Sequence, residues 1–167
     1  MSRGFVKEND QEEIPMVTPR ADLPANVVNY VTPDGLDALL TERAAMLHQL
    51  EHIIAINENE RRIAINFLHA KLDLLNARIA SAKVVDLTKQ PKDEVRFGAT
   101  VTVAVNDQTQ PQHYQIVGVD EANIKQLKIS FISPIAQLLL HKKVGDEAVL
   151  KLASRSRVFT VQSITYE

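Results

Sequence analysis

The chain has 167 residues, 45% of them apolar, a formal net charge of −2 and no cysteine. That length fits one domain or two small ones, and the apolar share is ordinary for a chain that folds around a core. The near-zero charge argues against a general nucleic-acid coat. The missing thiols exclude disulfides and thiolate metal sites, and no apolar run approaches the length of a membrane span.

Residues 1–31 read as an extended N-terminal arm. Acids cluster at Glu8, Asp10, Glu12 and Glu13, and Pro15, Pro19 and Pro24 punctuate a segment with no helical period. Proline fixes φ and removes a backbone donor, so neither helix nor central strand is expected. The arm is either a solvated tail or packs Ile14, Met16, Val17, Leu23 or Tyr30 along the body. The first residues lack the apolar core of a secretory signal, so a cytoplasmic protein is expected.

Thr32-Pro33-Asp34 is a helix start: a capping hydroxyl, proline at the first helical position, and an acid near the positive end of the helix. From Pro33 to Lys83 there is one glycine, Gly35, and no further proline. Two apolar seams with the seven-residue period of packed helices run through this stretch. The first holds Leu36, Leu40, Leu47, Leu50 and Ile54, with Arg43 in its gap. The second holds Ile65, Leu68, Leu72, Leu75, Ile79 and Ala82. They falter where Asn57, Glu58, Asn59 and Glu60 sit together. Two forms fit: one rod of about 75 Å, or an antiparallel hairpin with arms of about 35 Å each, at 1.5 Å per residue. A rod would expose both seams, so the pattern predicts a coiled-coil hairpin over 32–83. Its turn falls near Asn57–Glu60, where asparagine tolerates the left-handed backbone.

After Lys83 the texture turns β-branched. Val84–Leu87 reads as a short strand and 88–93 as a loop. Phe97–Val105 alternates like a half-buried strand, and His113–Val119 and Leu127–Ile132 follow as strands. Ser133 caps a short apolar helix opened by Pro134, and strands over 148–153 and 158–166 complete the chain. The expected fold class is α+β: a helical hairpin over 32–83, then a small antiparallel β-sheet domain with one short helix over 84–167.

His48 and His52 are four apart on a helix, but no third ligand accompanies them, so they read as surface histidines. No nucleophile triad or glycine-rich phosphate loop is present. Gly98 and Gly118 read as bulges or close-packing points. The hairpin tip is the most informative place. It carries Glu58 and Glu60, flanked by Arg61 and Arg62, and carboxylates on a probe suit magnesium held in another protein's active site. A solvated turn is the alternative.

The order of parts, together with particular residues, resembles the Gre family of bacterial transcription elongation and transcript-cleavage factors. The matching stretches are Ala82-Lys83-Val84-Val85-Asp86, Val95 to Val103, and Tyr114 to Ala122. They continue with Ile129-Ser130, Ser133-Pro134-Ile135-Ala136 and Lys142-Lys143-Val144-Gly145-Asp146. The resemblance implies an FKBP-like C-terminal domain that docks on the rim of the secondary channel of RNA polymerase, with Ser133, Pro134 and Ile135 as docking residues. It implies a finger that enters the channel toward the catalytic magnesium. The protein would then be no enzyme itself and hold no cofactor or stable metal. Glu58 would be at most a transient ligand to a magnesium shared with the polymerase, nascent RNA could pass near the tip, and no contact with DNA or membrane is expected. The family tip reads Gly-Asp, two residues, Glu-Asn, two residues, Tyr. Here Glu58-Asn59 matches, Ala55 stands at the aspartate's place, and Arg62 is nearest the tyrosine's. The stretch from Thr32 to Asp86 is also about fifteen residues shorter than the family pattern, or about 10 Å of reach per hairpin at 1.5 Å per helical residue. The resemblance thus implies a polymerase-binding regulator. The alternatives are an active cleavage cofactor and a peptide-binding or prolyl-isomerase protein.

Overall fold

A computed structural model describes residues 14–167. The acids at Glu8, Asp10, Glu12 and Glu13 lie outside the described residues. Ile14 to Asn29 forms no helix or strand, yet it is not simply solvated. Ile14 and Met16 are exposed, whereas Leu23, Val27 and Tyr30 pack against the core of the C-terminal domain.

The arm ends in a two-residue strand, β1 (Tyr30–Val31), and helix α1 (Pro33–Glu51) follows at once. Thr32 caps it by accepting from the Gly35 N–H at 2.9 Å. Helix α2 (Glu58–Ser81) runs back, and β2 (Lys83–Val84) leaves it to pair in parallel with β1. The N–H groups of Lys83 and Val85 donate to the carbonyls of Asn29 and Val31 at 2.8 and 3.0 Å. Buried Asn29 also donates its side-chain amide to the Arg78 carbonyl at 3.0 Å and the Ser81 hydroxyl at 3.1 Å. It thereby satisfies an acceptor that the end of α2 leaves open.

The two helices form the hairpin and not the rod, and they share a small core of Leu39, Met46, Leu72 and Leu75, flanked by Leu50 and Ile79. Three expectations about it need correction. The bend occupies His52–Asn57, ahead of Asn57–Glu60, and Asn57 is extended at φ −149°. Its oxygen serves as the cap of α2, accepting from the Glu60 N–H at 2.9 Å, which is the commoner use of asparagine before a helix. The arms are unequal, 19 and 24 residues, or about 28 and 36 Å at 1.5 Å per residue. Finally, α1 buries Gly35, Leu39 and Met46, one position off the predicted seam, while Leu47 is 45% exposed and Ile54 99%. Adjacent apolar pairs, Leu39-Leu40 and Met46-Leu47, make both registers readable. The half-buried seam position at Glu42 is neutralised by Arg20 from the arm, which removes the penalty for facing a carboxylate inward. The α2 seam at Leu68, Leu72 and Leu75 is buried as expected.

The C-terminal domain is built on a five-stranded sheet: β3 (Thr100–Val105), β4 (Gln112–Val117), β5 (Lys128–Ser130), β6 (Glu147–Lys151) and β7 (Ser156–Thr165). Their order across the sheet is β5-β4-β3-β7-β6. The α+β class holds, with one amendment to the antiparallel sheet: β5 runs parallel to β4. The connection from Gly118 to Leu127 carries the chain back before pairing, as a parallel pair requires, in slightly fewer residues than such crossovers usually take. Helix α3 (Pro134–Leu139) covers the buried face through Ala136 and Leu139, against Val101, Val103, Ile116, Phe159 and Val161. The strand expected from Phe97 begins only at Thr100. Gly98 turns the chain at φ +86°, and a Cβ there would lie 2.1 Å from Leu87 Cδ2. The Val84–Leu87 strand also stops early, at Val84, and Leu87–Lys89 is a turn of 3₁₀ helix.

Candidate functional site: the hairpin tip and the start of the short helix

The tip is built by the chain's need to reverse between two helices. After His52 the segment Ile53-Ile54-Ala55-Ile56 has no helical bonding, and Ile54 and Ile56 stand 99% and 90% exposed. The first turn of α2 then carries Glu58, Glu60, Arg61 and Arg62, all exposed. Glu58, Asn59, Arg61, Arg62 and Ile65 line one shallow open depression along that face.

The two tip carboxylates do different things. Glu60 Oε2 accepts from the Ile56 N–H at 3.3 Å while the Glu60 N–H donates to Asn57 Oδ1 at 2.9 Å. Asn57 thereby caps α2, while the Glu60 carboxylate is occupied by the backbone of Ile56, one residue ahead of the cap. Glu58 has no such tie among the described residues. The two acids are also two apart on a helix, so they face away from each other and cannot converge on one ion. Arg62 donates to Asn59 Oδ1 at 3.3 Å, and no ion pair among the described residues joins Arg61 or Arg62 to either glutamate. Among the described residues, no three histidine, aspartate or glutamate side chains cluster as a metal site. His48 and His52 stack at 4.1 Å, with the His52 ring nitrogen Nδ1 2.8 Å from the His48 carbonyl, and remain on the helix surface.

The expected docking residues open helix α3 of the C-terminal domain. Ser133 caps α3, accepting from the Ala136 N–H at 3.3 Å, Pro134 is exposed, and Ile135 packs partly onto the core. Of the three, Pro134 alone offers an open apolar surface. The sequence places Ile54 in the buried seam and gives Ile56 no role, yet both are exposed; the signal for this was an apolar run, Ile53 to Ile56, standing immediately before an asparagine cap.

Known proteins give this geometry a context. The sequence model described as "Transcription elongation factor, GreA/GreB, C-term" matches residues 90–166. A relative from Rhodospirillum rubrum named transcription elongation factor GreA is 33% identical over 151 residues, covering 81% of this chain and 96% of that protein. The chain belongs to the GreA/GreB family of transcription elongation factors. A second GreA, from Hyphomonas neptunium, is 42% identical over 102 residues, and there the chain spans 65% of the relative's length, just under two thirds. A solved GreA/GreB structure from Nitrosomonas europaea is 19% identical, covers 82% of this chain and 98% of that one, and superposes with a TM-score of 0.42, a likeness that assigns nothing further. In the Rhodospirillum match, 81% of 167 residues is about 135, set against 151 matched positions. Roughly sixteen positions of that GreA therefore have no counterpart in this member of the family. Among the described residues, no helix is long and apolar enough to cross a membrane.

Proposed function

We propose that this GreA/GreB-family chain binds RNA polymerase at its secondary channel, with the C-terminal domain docked on the rim and the hairpin inserted toward the active site. We further propose that it acts there by occupying the channel and not by supplying a magnesium site. The observation that carries the second step is the tip. One carboxylate, Glu60, is engaged by the Ile56 N–H, its neighbour Glu58 faces elsewhere, and isoleucines 54 and 56 stand almost fully exposed at the bend. A catalytic tip must hold its ligands to a fraction of an ångström, and a single exposed glutamate on a shortened finger is poorly placed for that. If the tip reaches the catalytic magnesium, Glu58 is the residue that would touch it, and the ion would supply polarisation of the RNA phosphate. Peptide binding in the C-terminal domain is disfavoured by Tyr30, whose ring packs 5.8 Å from Phe97 and 5.9 Å from Phe131, on the aromatic surface a peptide pocket would need.

Two measurements test the reading. The protein should co-elute with core polymerase from its own bacterium, and Pro134→Glu should weaken this without unfolding the chain; loss of co-elution by the wild type sinks the reading. Added to stalled, backtracked complexes, the wild type should release no 3′ RNA fragments above the polymerase's own background. Fragments that disappear in Glu58→Ala would establish the cleavage-cofactor alternative instead.

A further inference from the structure

The hairpin and the C-terminal domain have separate hydrophobic cores. Leu39, Met46, Leu72 and Leu75 make one, and the cluster around Val101, Ile116 and Phe159 makes the other, with no buried residue in common. Units joined without a shared core move relative to one another unless something else fixes them. Here the joint is bridged by polar groups, and the arm supplies the central one. Arg20 grips Glu42 of α1 with both terminal nitrogens, at 2.9 and 3.0 Å, and donates its Nε to Asp120 Oδ1 of the C-terminal domain at 3.0 Å. From the other side Arg78 of α2 sets its Nε 3.0 Å from Asp120 Oδ2 and donates to the Ala21 carbonyl. Glu42, Arg20, Asp120 and Arg78 therefore alternate in sign across three parts of the molecule. The side chains of Arg20, Arg78 and Asp120 are only 19%, 12% and 8% exposed, so solvent screens this row less than a surface pair. A few residues on, Leu23, Val27 and Tyr30 seat the arm on the domain core.

We propose that residues Arg20 to Thr32 form a strap that sets the angle between the hairpin and the C-terminal domain, with the bidentate Arg20 as its buckle. The guanidinium suits the role because its fork reaches a carboxylate on α1 and another on the domain at once, which a lysine ammonium cannot reproduce. The strap fixes the direction in which the finger points, and releasing its buckle at Arg20 leaves the buried residues of both cores in place. This inference stands whether or not the finger enters a polymerase.

The absence of cysteine makes the test direct. Spin labels on Ala45→Cys in α1 and Gln162→Cys in β7, both exposed positions, report the distance between the two units in the full chain. In the otherwise wild-type protein the distance distribution should be narrow. Arg20→Met should broaden it or add a second distance, while far-ultraviolet circular dichroism stays unchanged; Arg20→Lys should fall between. A distribution in Arg20→Met as narrow as the wild type's, at the same mean, overturns the strap. Should Arg20→Met fail to fold, Glu42→Gln, which takes the charge from the carboxylate that Arg20 grips on α1, gives the same reading. Broadening there supports the strap and an unchanged narrow distribution overturns it.

Discussion

The Thr32 hydroxyl donates to Glu121 Oε2 at 2.6 Å while accepting from the Gly35 N–H at 2.9 Å. One buried oxygen thus starts helix α1 and ties it to the C-terminal domain, where Lys128 holds the other Glu121 oxygen at 3.2 Å. Thr32→Val keeps the shape and removes both bonds. Loss of a cap costs about 0.5–2 kcal/mol, and a buried acceptor left without its donor adds about 1–3 kcal/mol. Urea unfolding should show a loss of about 2–4 kcal/mol for Thr32→Val, within the sum of those ranges, and most of it should return in Thr32→Ser.

Gly118 marks where the arm comes closest to the sheet. A Cβ there would lie 2.5 Å from the Tyr30 carbonyl oxygen, a backbone atom that cannot swing away. Gly118→Ala should push β1 outward, loosen the pairing with β2, and lower stability by about 1–3 kcal/mol, the usual range for overpacking. Hydrogen exchange at the Lys83 and Val85 amides, which donate to Asn29 and Val31, should accelerate more than exchange in β3. Equal protection at both places would show that the clash is relieved elsewhere.

Acid should weaken the loop before β3. The hydrogen bond from His141, then the contact with Arg96, holds the Glu94 carboxyl below its ordinary value of 4.5 against a smaller opposing effect of burial. Thr88 lowers Asp86 in the same direction, by its side chain and then its backbone N–H. A depressed carboxylate binds fewer protons folded than unfolded. Its contribution is therefore present above the ordinary value and is lost as pH falls through the folded one. The urea midpoint should decline as pH drops below about 4.5, and Glu94→Gln should flatten part of that slope. The Glu94 carbonyl, which accepts from the Tyr166 hydroxyl at 2.6 Å, remains in the variant, so the loop itself should keep its place.

The hairpin was legible because α2 has one unambiguous apolar seam and because Thr32-Pro33-Asp34 can hardly be anything but a helix start. The register of α1 was not, since Leu39-Leu40 and Met46-Leu47 offer two stripes, and the choice rests on Arg20, 22 residues from Glu42. The β-domain strands followed from alternation at Val101, Val103 and Val105, but Gly98 moved the start of the first by a left-handed turn that composition does not reveal. The same holds for the parallel pairing of β4 and β5, which depends on where a ten-residue connection goes. At the tip, the acids were visible and their roles were not: a glutamate three residues after an asparagine reads equally as a metal ligand or as an acceptor for the backbone of the turn until the backbone is placed.

That ambiguity leads to the sharpest test of the tip. Asn57→Ala removes the cap of α2 and should cost about 1 kcal/mol. Glu60→Gln should be close to neutral, because the glutamine side-chain oxygen can accept the Ile56 N–H as the carboxylate does. Glu58→Ala should leave stability within about 0.5 kcal/mol, as an exposed side chain with no described partner. Ile54→Asp and Ile56→Asp should likewise leave the melting curve unchanged, because neither side chain contributes to a core. Binding to polymerase then separates the roles. If the apolar bend is what the finger presents, the two aspartate variants weaken binding to polymerase while Glu58→Ala does not. If Glu58→Ala alone weakens it, the carboxylate is the contact and the isoleucines are bystanders.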